Sequence, residues 1–469
     1  MKKTKIICSI GPSSYDVETL CQMAIHGMNV ARLNFSHGNY EEKDKVIDSI
    51  QKVREITGKQ VGIMWDTRGP EFRTGSFEAD GIDLVEGNEI RIVKDKVKGN
   101  INRFSVNHPE ALDKFEKGTV ILLENAKMRL VVTSIEKDGV TCRIDVGGHL
   151  GNHKAINVPG VNLNLPYLSD QDKKDIEYAC RNDGEFLAIS FVSSREDVLE
   201  IKKLLKEYNR EDLRIICKIE SSLGIKNLEE ILELSDGVMV ARGDLGVEIE
   251  SEKLPSLQKQ IIKKAREMQK ITIVATEMLE SMMVETRPKR AETSDIANAV
   301  LDGTDAVMLS GETTIGEHPV ETVSAMGRIC EAKEEYARFD YIDDEKRLHD
   351  VTRAIAEAVV DTSNRLKAKL ICASTISGDT ACEISNLKPN AYVLALCPNE
   401  KICRRLSLNW GIYTQIIPFY DSTDEVLLES VEKSKEFLNL KKGDIIITTG
   451  SFPNTGESHP TNLMKIEKI

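Results

Sequence analysis

Short apolar runs rich in β-branched residues alternate along this chain with longer stretches whose apolar positions recur every three or four residues. The first pattern predicts strands buried on both faces, the second amphipathic helices, and their alternation predicts βα units around a parallel sheet. Eight runs read as strands, at residues 4–10, 28–34, 61–66, 186–192, 214–219, 237–241, 272–276 and 306–309. Helical patterns follow at 16–27, 40–57, 169–182, 194–208, 223–234, 254–269, 291–301 and 318–337. Eight such units predict a closed (β/α)8 barrel.

The third unit is interrupted by residues 70–165, rich in Val, Ile and Thr and punctuated by Asp80-Gly81, Glu86-Gly87, Lys117-Gly118 and Asp138-Gly139. That pattern predicts short antiparallel strands with tight turns, closed into a small β-barrel. Beyond a charged stretch at 341–347, helix and strand alternate again through 370–374, 392–397 and 444–449, which predicts an open α/β domain. The expected fold class is α/β, with the barrel over 1–69 and 166–342, the insert over 70–165 and the carboxyl-terminal domain over 343–469.

A chain of 469 residues exceeds what one core serves, and 41% apolar content fills several. Its 63 basic and 76 acidic residues give a formal charge of −13, with no basic run, which argues against nucleic acid or an anionic membrane as partner. Ten cysteines without C-x-x-C pairs read as reduced thiols of a cytoplasmic protein. The apolar patch within residues 1–10 is too short for a signal peptide, and nothing approaches a transmembrane span.

Barrel enzymes act at the carboxyl ends of their strands, and six of the eight runs end in polar residues. The second ends in Arg32 and Asn34, the third in Asp66, the fifth in Lys218 and Glu220, the sixth in Arg242 and Asp244, the seventh in Thr276 and the eighth in Ser310. Strand alternation puts Lys218 with Glu220, and Arg32 with Asn34, on a shared face. Glu220 and Asp244, without a neighbouring histidine or thiolate, suit a hard ion such as Mg²⁺ or Mn²⁺. Arg32, Arg73 and Lys218 around such an ion form the clamp that phosphoryl transfer requires. The Gly243-Asp244-Leu245-Gly246 turn offers N–H groups to a carboxylate or phosphate. No Walker lysine loop, H-E-x-x-H helix or G-x-S-x-G elbow occurs. Gly147, Gly148 and Gly151 read as hairpin glycines, and His37 serves equally well as a structural hydrogen-bond partner or as a catalyst.

The strand-end motifs TKIICSIGPSS, GMNVARLNFSHG, DTRGPEFRTG, IICKIE, DGVMVARGDLGVEI, IVATEMLESM and RAETSDIANAVLDGTDAVMLSGET stand in an order and spacing that resemble the pyruvate kinase family over nearly the whole chain. The resemblance is to the bacterial type without an extra carboxyl-terminal domain. It implies phosphoryl transfer from phosphoenolpyruvate to ADP, giving pyruvate and ATP, with Mg²⁺ (or Mn²⁺) and K⁺. It further implies an insert acting as a lid, a regulatory carboxyl-terminal domain and a homotetramer.

By the same resemblance Arg32 binds the transferring phosphate, Arg73 and Lys154 contact nucleotide and phosphate, and Lys218 stabilises the moving phosphoryl group. Glu220 and Asp244 match the Mg²⁺ carboxylates, a second Mg²⁺ arriving with ADP. The Gly243 and Asp244 backbone with Thr276 match the holders of the substrate carboxylate. Asn34, Ser36, Asp66 and Thr67 match K⁺ ligands, and Ser310 with Thr276 resembles the water relay that protonates the enolate. Glu71 stands where potassium-dependent members carry glutamate and independent members lysine, and Thr67 agrees with the dependent type. Thr375, Ser377, Gly378 and Thr380 resemble an effector-phosphate loop. Asp379 within it, Cys382 where many bacterial relatives have arginine, and Glu457 in the loop at 449–459 disfavour a doubly phosphorylated ligand.

The chain departs from the family pattern at Ser221-Ser222-Leu223, Glu124-Asn125-Ala126, Glu277 and Ile315, and such supporting positions change metal affinity or rate by about 10–100-fold. Two other readings stay open: a barrel that binds phosphoenolpyruvate or nucleotide as a sensor, and a metal-dependent aldolase-type barrel acting on pyruvate enolates.

Overall fold

The apolar runs become the strands Lys5–Ser9, Val30–Asn34, Gly62–Asp66, Phe186–Ile189, Arg214–Ile219, Gly237–Ala241, Ile271–Ala275 and Ala306–Leu309. In the computed structural model, which describes residues 1–339, 350–420, 422–452 and 459–469, these strands pair in parallel, each beside its sequence neighbour. The eighth returns to the first with Ala306 opposite Lys5, closing the barrel. Alternation sends Ile7, Val30, Met64, Ala188, Ile216 and Met308 into the centre, while their neighbours pack outward against the helices. Two residues further along, the same inward columns end in Ser9, Arg32, Asp66, Ser190, Lys218 and Ser310, so the apolar interior is capped by a polar layer at the carboxyl end.

The helices start where their caps dictate: Ser169 and Ser194 form capping boxes with Asp172 and Asp197 at Asp170–Arg181 and Arg195–Glu207. Two expectations change. The fourth strand stops at Ile189, short of residue 192, because Phe191 adopts φ +54° and turns the chain toward the polar layer. The helix expected at 223–234 divides into Ser222–Lys226 and Leu228–Leu234 at Asn227, whose side-chain amide donates to the Ser193 carbonyl at 2.8 Å.

The insert places a six-stranded and a two-stranded sheet around one core that includes Phe104, Leu123, Leu130 and Leu150. Gly87 and Gly118 take positive φ at its turns, whereas Gly81 opens the strand Gly81–Leu84 and Gly139 the strand Gly139–Val146. The carboxyl-terminal sheet has four parallel strands, Ile412–Ile416, Tyr392–Cys397, Leu370–Ser374 and Ile445–Gly450 in spatial order, and an antiparallel edge, Leu463–Lys468. Its two outer strands are absent from the sequence reading because polar residues interrupt these half-exposed edges, which lack the continuous apolar run of a central strand. The charged stretch at 341–347 and the boundary at 342/343 lie outside the described residues.

This domain docks on the base of the barrel through Arg404, whose Nε donates to Glu185 at 2.7 Å, and through the buried Lys388–Asp305 pair. All ten cysteines are free thiols. Among the described residues no helix is long and apolar enough to cross a membrane.

Candidate active site

Asp66 organises the polar layer. Its Oδ2 accepts the Arg32 Nε–H at 2.6 Å, and its Oδ1 lies 3.3 Å from Lys218 Nζ. The ammonium also donates to Ser190 Oγ at 2.8 Å and stands 3.0 Å from Glu220 Oε1. Arg32 Nη1 donates to Ser9 Oγ at 2.7 Å. Burial opposes ionisation of Asp66, yet Arg32 and Lys218 hold its carboxyl below the usual carboxylate range. Burial likewise works against the charge on Lys218, but Asp66 and Glu220 carry its pKa above the ordinary lysine value. The layer thus favours the charged form of Lys218 in a buried place.

Glu220 is less well compensated. Its Oε2 accepts the Phe191 N–H at 2.6 Å, while Oε1, fully buried, takes no directed hydrogen bond. Burial pushes the carboxyl up to about 7, opposed by Lys218 and reinforced by the Asp244 charge. Glu220 and Asp244 both line a cavity of about 1150 Å³ between barrel and insert. A buried carboxylate oxygen with an ion pair to Lys218 but no directed hydrogen bond, beside a second carboxylate, fits a hard divalent cation. Among the described residues no group of three or more His, Cys, Asp or Glu is placed to hold a metal ion. Glu220 and Asp244 are the residues that would hold such a cation.

Asn34, Ser36, Asp66 and Thr67 line the same cavity and offer only oxygen and amide groups, a donor set fit for a monovalent or other hard cation. Asn34 Oδ1 accepts the Ser36 N–H at 2.8 Å. Thr67 is tied to Ser190 twice: its carbonyl accepts the Ser190 hydroxyl at 2.7 Å and its Oγ1 accepts the Ser190 N–H at 3.1 Å.

Thr276 and Glu277 stand beyond the seventh strand at φ +68° and +54°, a left-handed pair of non-glycine residues that stores strain. The clamp that holds them is Arg242. Its Nη2 donates to the Thr276 carbonyl at 2.7 Å, and its Nη1 donates to both carboxylate oxygens of Asp295 at 2.8 and 2.6 Å. Arg242 therefore leaves the converging strand-end set, and its packing with Asp295 had no signature in the sequence. The expected Gly243–Gly246 turn is the first turn of a short helix, Arg242–Glu248, and the Gly243 N–H already donates to Thr276 Oγ1 at 2.9 Å. Ser310 Oγ is buried with no hydrogen-bond partner.

Arg73 reaches the cavity rim, where its guanidinium binds both oxygens of Glu71 at 2.7 Å. Lys154 lies off the cavity lining, 3.4 Å from Glu124. His37 lines the cavity, and its carbonyl accepts from Lys43 Nζ at 2.7 Å. Of the departures, Ser221, Ser222, Leu223 and Asn125 line the cavity. Ser221 caps the helix Ser222–Lys226, and Glu124, Asn125 and Ala126 form three successive left-handed residues at the tip of the insert. Ile315 is exposed.

In the carboxyl-terminal domain Thr375, Ser377 and Thr380 line a second cavity of about 270 Å³, bordered by Asp379, Phe419, Phe452 and His459. Gly378, at φ +98°, precedes the helix Asp379–Asn386. The hydroxyls are engaged: Thr375 Oγ1 accepts the Gly378 N–H at 2.9 Å, Ser377 donates to Asp379 at 2.8 Å, and Thr380 meets Thr461 at 2.7 Å. Among the described residues no Lys or Arg lines this cavity, and Glu457 lies outside them.

Comparison with known proteins adds an independent finding. The family description "Pyruvate kinase, barrel domain" matches residues 1–323, and "Pyruvate kinase, alpha/beta domain" matches residues 353–467. A pyruvate kinase of Sporosarcina psychrophila is 45% identical over all of this chain and 81% of its own length. That of Geobacillus stearothermophilus is 42% identical over all of this chain and 80% of its own length. The crystal structure of a pyruvate kinase from Cryptosporidium parvum superposes with a TM-score of 0.91 at 34% identity, covering 100% of this chain and 96% of that one.

Proposed function

The chain belongs to the pyruvate kinase family, and from that premise we propose that it transfers a phosphoryl group from phosphoenolpyruvate to ADP with the residues of the polar layer, giving pyruvate and ATP. The observation that carries the assignment of roles is the pair of buried cations, Arg32 and Lys218, braced on Asp66 in a cavity that the carboxylates Glu220 and Asp244 also line.

Arg32 presents its guanidinium to the phosphoryl group from one side and Lys218 its ammonium from another, so charge spreading over the equatorial oxygens meets fixed positive charge. Glu220 and Asp244 would hold Mg²⁺ or Mn²⁺, which would supply positive charge against the negative charge of the substrate. Thr276, with the Gly243 and Asp244 backbone, orients the substrate carboxylate. Ser310, whose hydroxyl has no other partner, stands with Thr276 to relay a proton through water to the enolate carbon. Arg73 at the rim, and Lys154 once the insert closes as a lid, would contact the nucleotide.

The decisive experiment follows pyruvate formation from phosphoenolpyruvate with and without ADP. Turnover only with ADP is expected. Binding without turnover would favour the sensor, and enolate chemistry independent of ADP the aldolase-type barrel. Free thiols throughout and the lack of a spanning helix among the described residues support a cytoplasmic place. The homotetramer is to be read from light scattering of the purified chain.

Dependence on K⁺ follows from Asn34, Ser36, Asp66 and Thr67, with Glu71 as the discriminating residue. Activity is expected to fall to a small fraction in an organic-cation buffer free of Na⁺ and K⁺. Glu71→Lys should lower the K⁺ requirement, because its ammonium would bring a fixed monovalent charge to the cavity rim. Full activity of the parent chain in that buffer would refute the dependence.

For the second cavity, the engaged hydroxyls, the Asp379 carboxylate and the lack of a lining cation among the described residues support a weak anion site at most. Fructose 1,6-bisphosphate is expected to activate weakly or not at all, and any activator to be a monophosphate such as a sugar phosphate or AMP. The shift of the phosphoenolpyruvate saturation curve with each ligand measures this; strong activation by micromolar bisphosphate would contradict it.

A further inference from the structure

We infer that Ser9 and Ser190 are positioning residues that fix the Arg32 guanidinium and the Lys218 ammonium on opposite sides of Asp66, so that both cations face one phosphoryl group. The inference rests on the roles of Arg32 and Lys218 proposed above.

Both serines are buried, 2% and 1% exposed, at the carboxyl ends of the first and fourth strands. Ser9 lies opposite Arg32 in the strand ladder and shares its inward face, which sets its Oγ 2.7 Å from Nη1. With Nε on Asp66 and Nη1 on Ser9, the planar guanidinium is held at two points. Among the described residues its Nη2 takes no hydrogen bond and remains for substrate.

Ser190 does the same for Lys218. Its hydroxyl proton goes to the Thr67 carbonyl at 2.7 Å and its N–H to Thr67 Oγ1 at 3.1 Å, which turns the Oγ lone pairs toward Nζ at 2.8 Å. The lysine stem is flexible and its charge is drawn to two carboxylates, Asp66 and Glu220. A neutral hydroxyl holds the ammonium between them without cancelling positive charge, as a third carboxylate would. The two serines thus direct the cations while leaving their charge available to developing phosphoryl charge.

The test uses the full chain with Ser190→Ala, Ser9→Ala, the hydroxyl-retaining Ser190→Thr and Ser9→Thr, and Ser385→Ala as reference. Ser385 is a buried serine of the carboxyl-terminal domain that donates to the Trp410 carbonyl at 2.7 Å, remote from both cations. Ser190→Ala is expected to lower kcat about 10–100-fold with the dissociation constant for phosphoenolpyruvate within about twofold of the parent. Ser9→Ala is expected to lower kcat and also raise KM for phosphoenolpyruvate, since Arg32 binds the ground-state phosphate. Each threonine variant should recover most of the loss, and Ser385→Ala should lower Tm without changing kcat. Unchanged kcat in both alanine variants, or losses that track Tm and that threonine does not recover, would overturn the inference while leaving the proposed reaction intact. A parent chain that forms no pyruvate would instead overturn the proposed reaction and this inference with it.

Discussion

Lys218→Met is expected to lower kcat by about 10³-fold while phosphoenolpyruvate still binds near its parent affinity. The ammonium is buried and fully engaged before substrate arrives, with Ser190, Asp66 and Glu220 as its partners. A charge already held in place contributes little extra to ground-state binding, but it needs no reorganisation when charge develops on the transferring group. Methionine fills the same volume and removes only the charge and its hydrogen bonds. The variant also leaves Asp66 facing Arg32 alone, so its Tm should be recorded beside kcat and the substrate dissociation constant. Equal losses in binding and in turnover would count against a role in the transition state.

Removing either carboxylate of the metal pair should raise the Mg²⁺ requirement steeply, by more than the roughly 10–100-fold that loss of a merely supporting group costs. Glu220→Gln and Asp244→Asn each take one charged oxygen from the proposed metal site, where among the described residues no group of three or more His, Cys, Asp or Glu is placed to hold a metal ion. Glu220→Gln carries a second consequence, because Lys218 then keeps only Asp66 as a charged partner. Glu220→Gln should therefore lower kcat at saturating Mg²⁺ further than Asp244→Asn does. Direct titration with Mn²⁺ by electron paramagnetic resonance, free of turnover, separates metal affinity from rate. Titration curves like the parent's would remove both residues from the metal site.

The order of apolar runs was enough to place all eight barrel strands to within a few residues, because a strand buried on both faces must be continuously apolar and its helix must carry a 3.6-residue stripe. The same alternation placed Lys218 with Glu220, and Arg32 with Asn34, on shared faces, since side-chain direction in a strand is a local property. The interruption after the third strand and its glycine turns were equally legible, because turn chemistry acts over neighbouring residues. Three features were decided by tertiary structure alone. Ser9 and Ser190 gained their partners only when the barrel closed and brought the first strand beside the second and the fourth beside the fifth. Arg242 left the strand-end set because Asp295, a distant residue in sequence, and the Thr276 carbonyl bound it more fully than the cavity could. Thr276 keeps a left-handed backbone that a β-branched residue disfavours, held there by Arg242 and the Gly243 N–H. Periodicity determines which way a side chain leaves the backbone. What that side chain meets depends on strand register and loop placement, which arise from contacts between residues far apart in the chain.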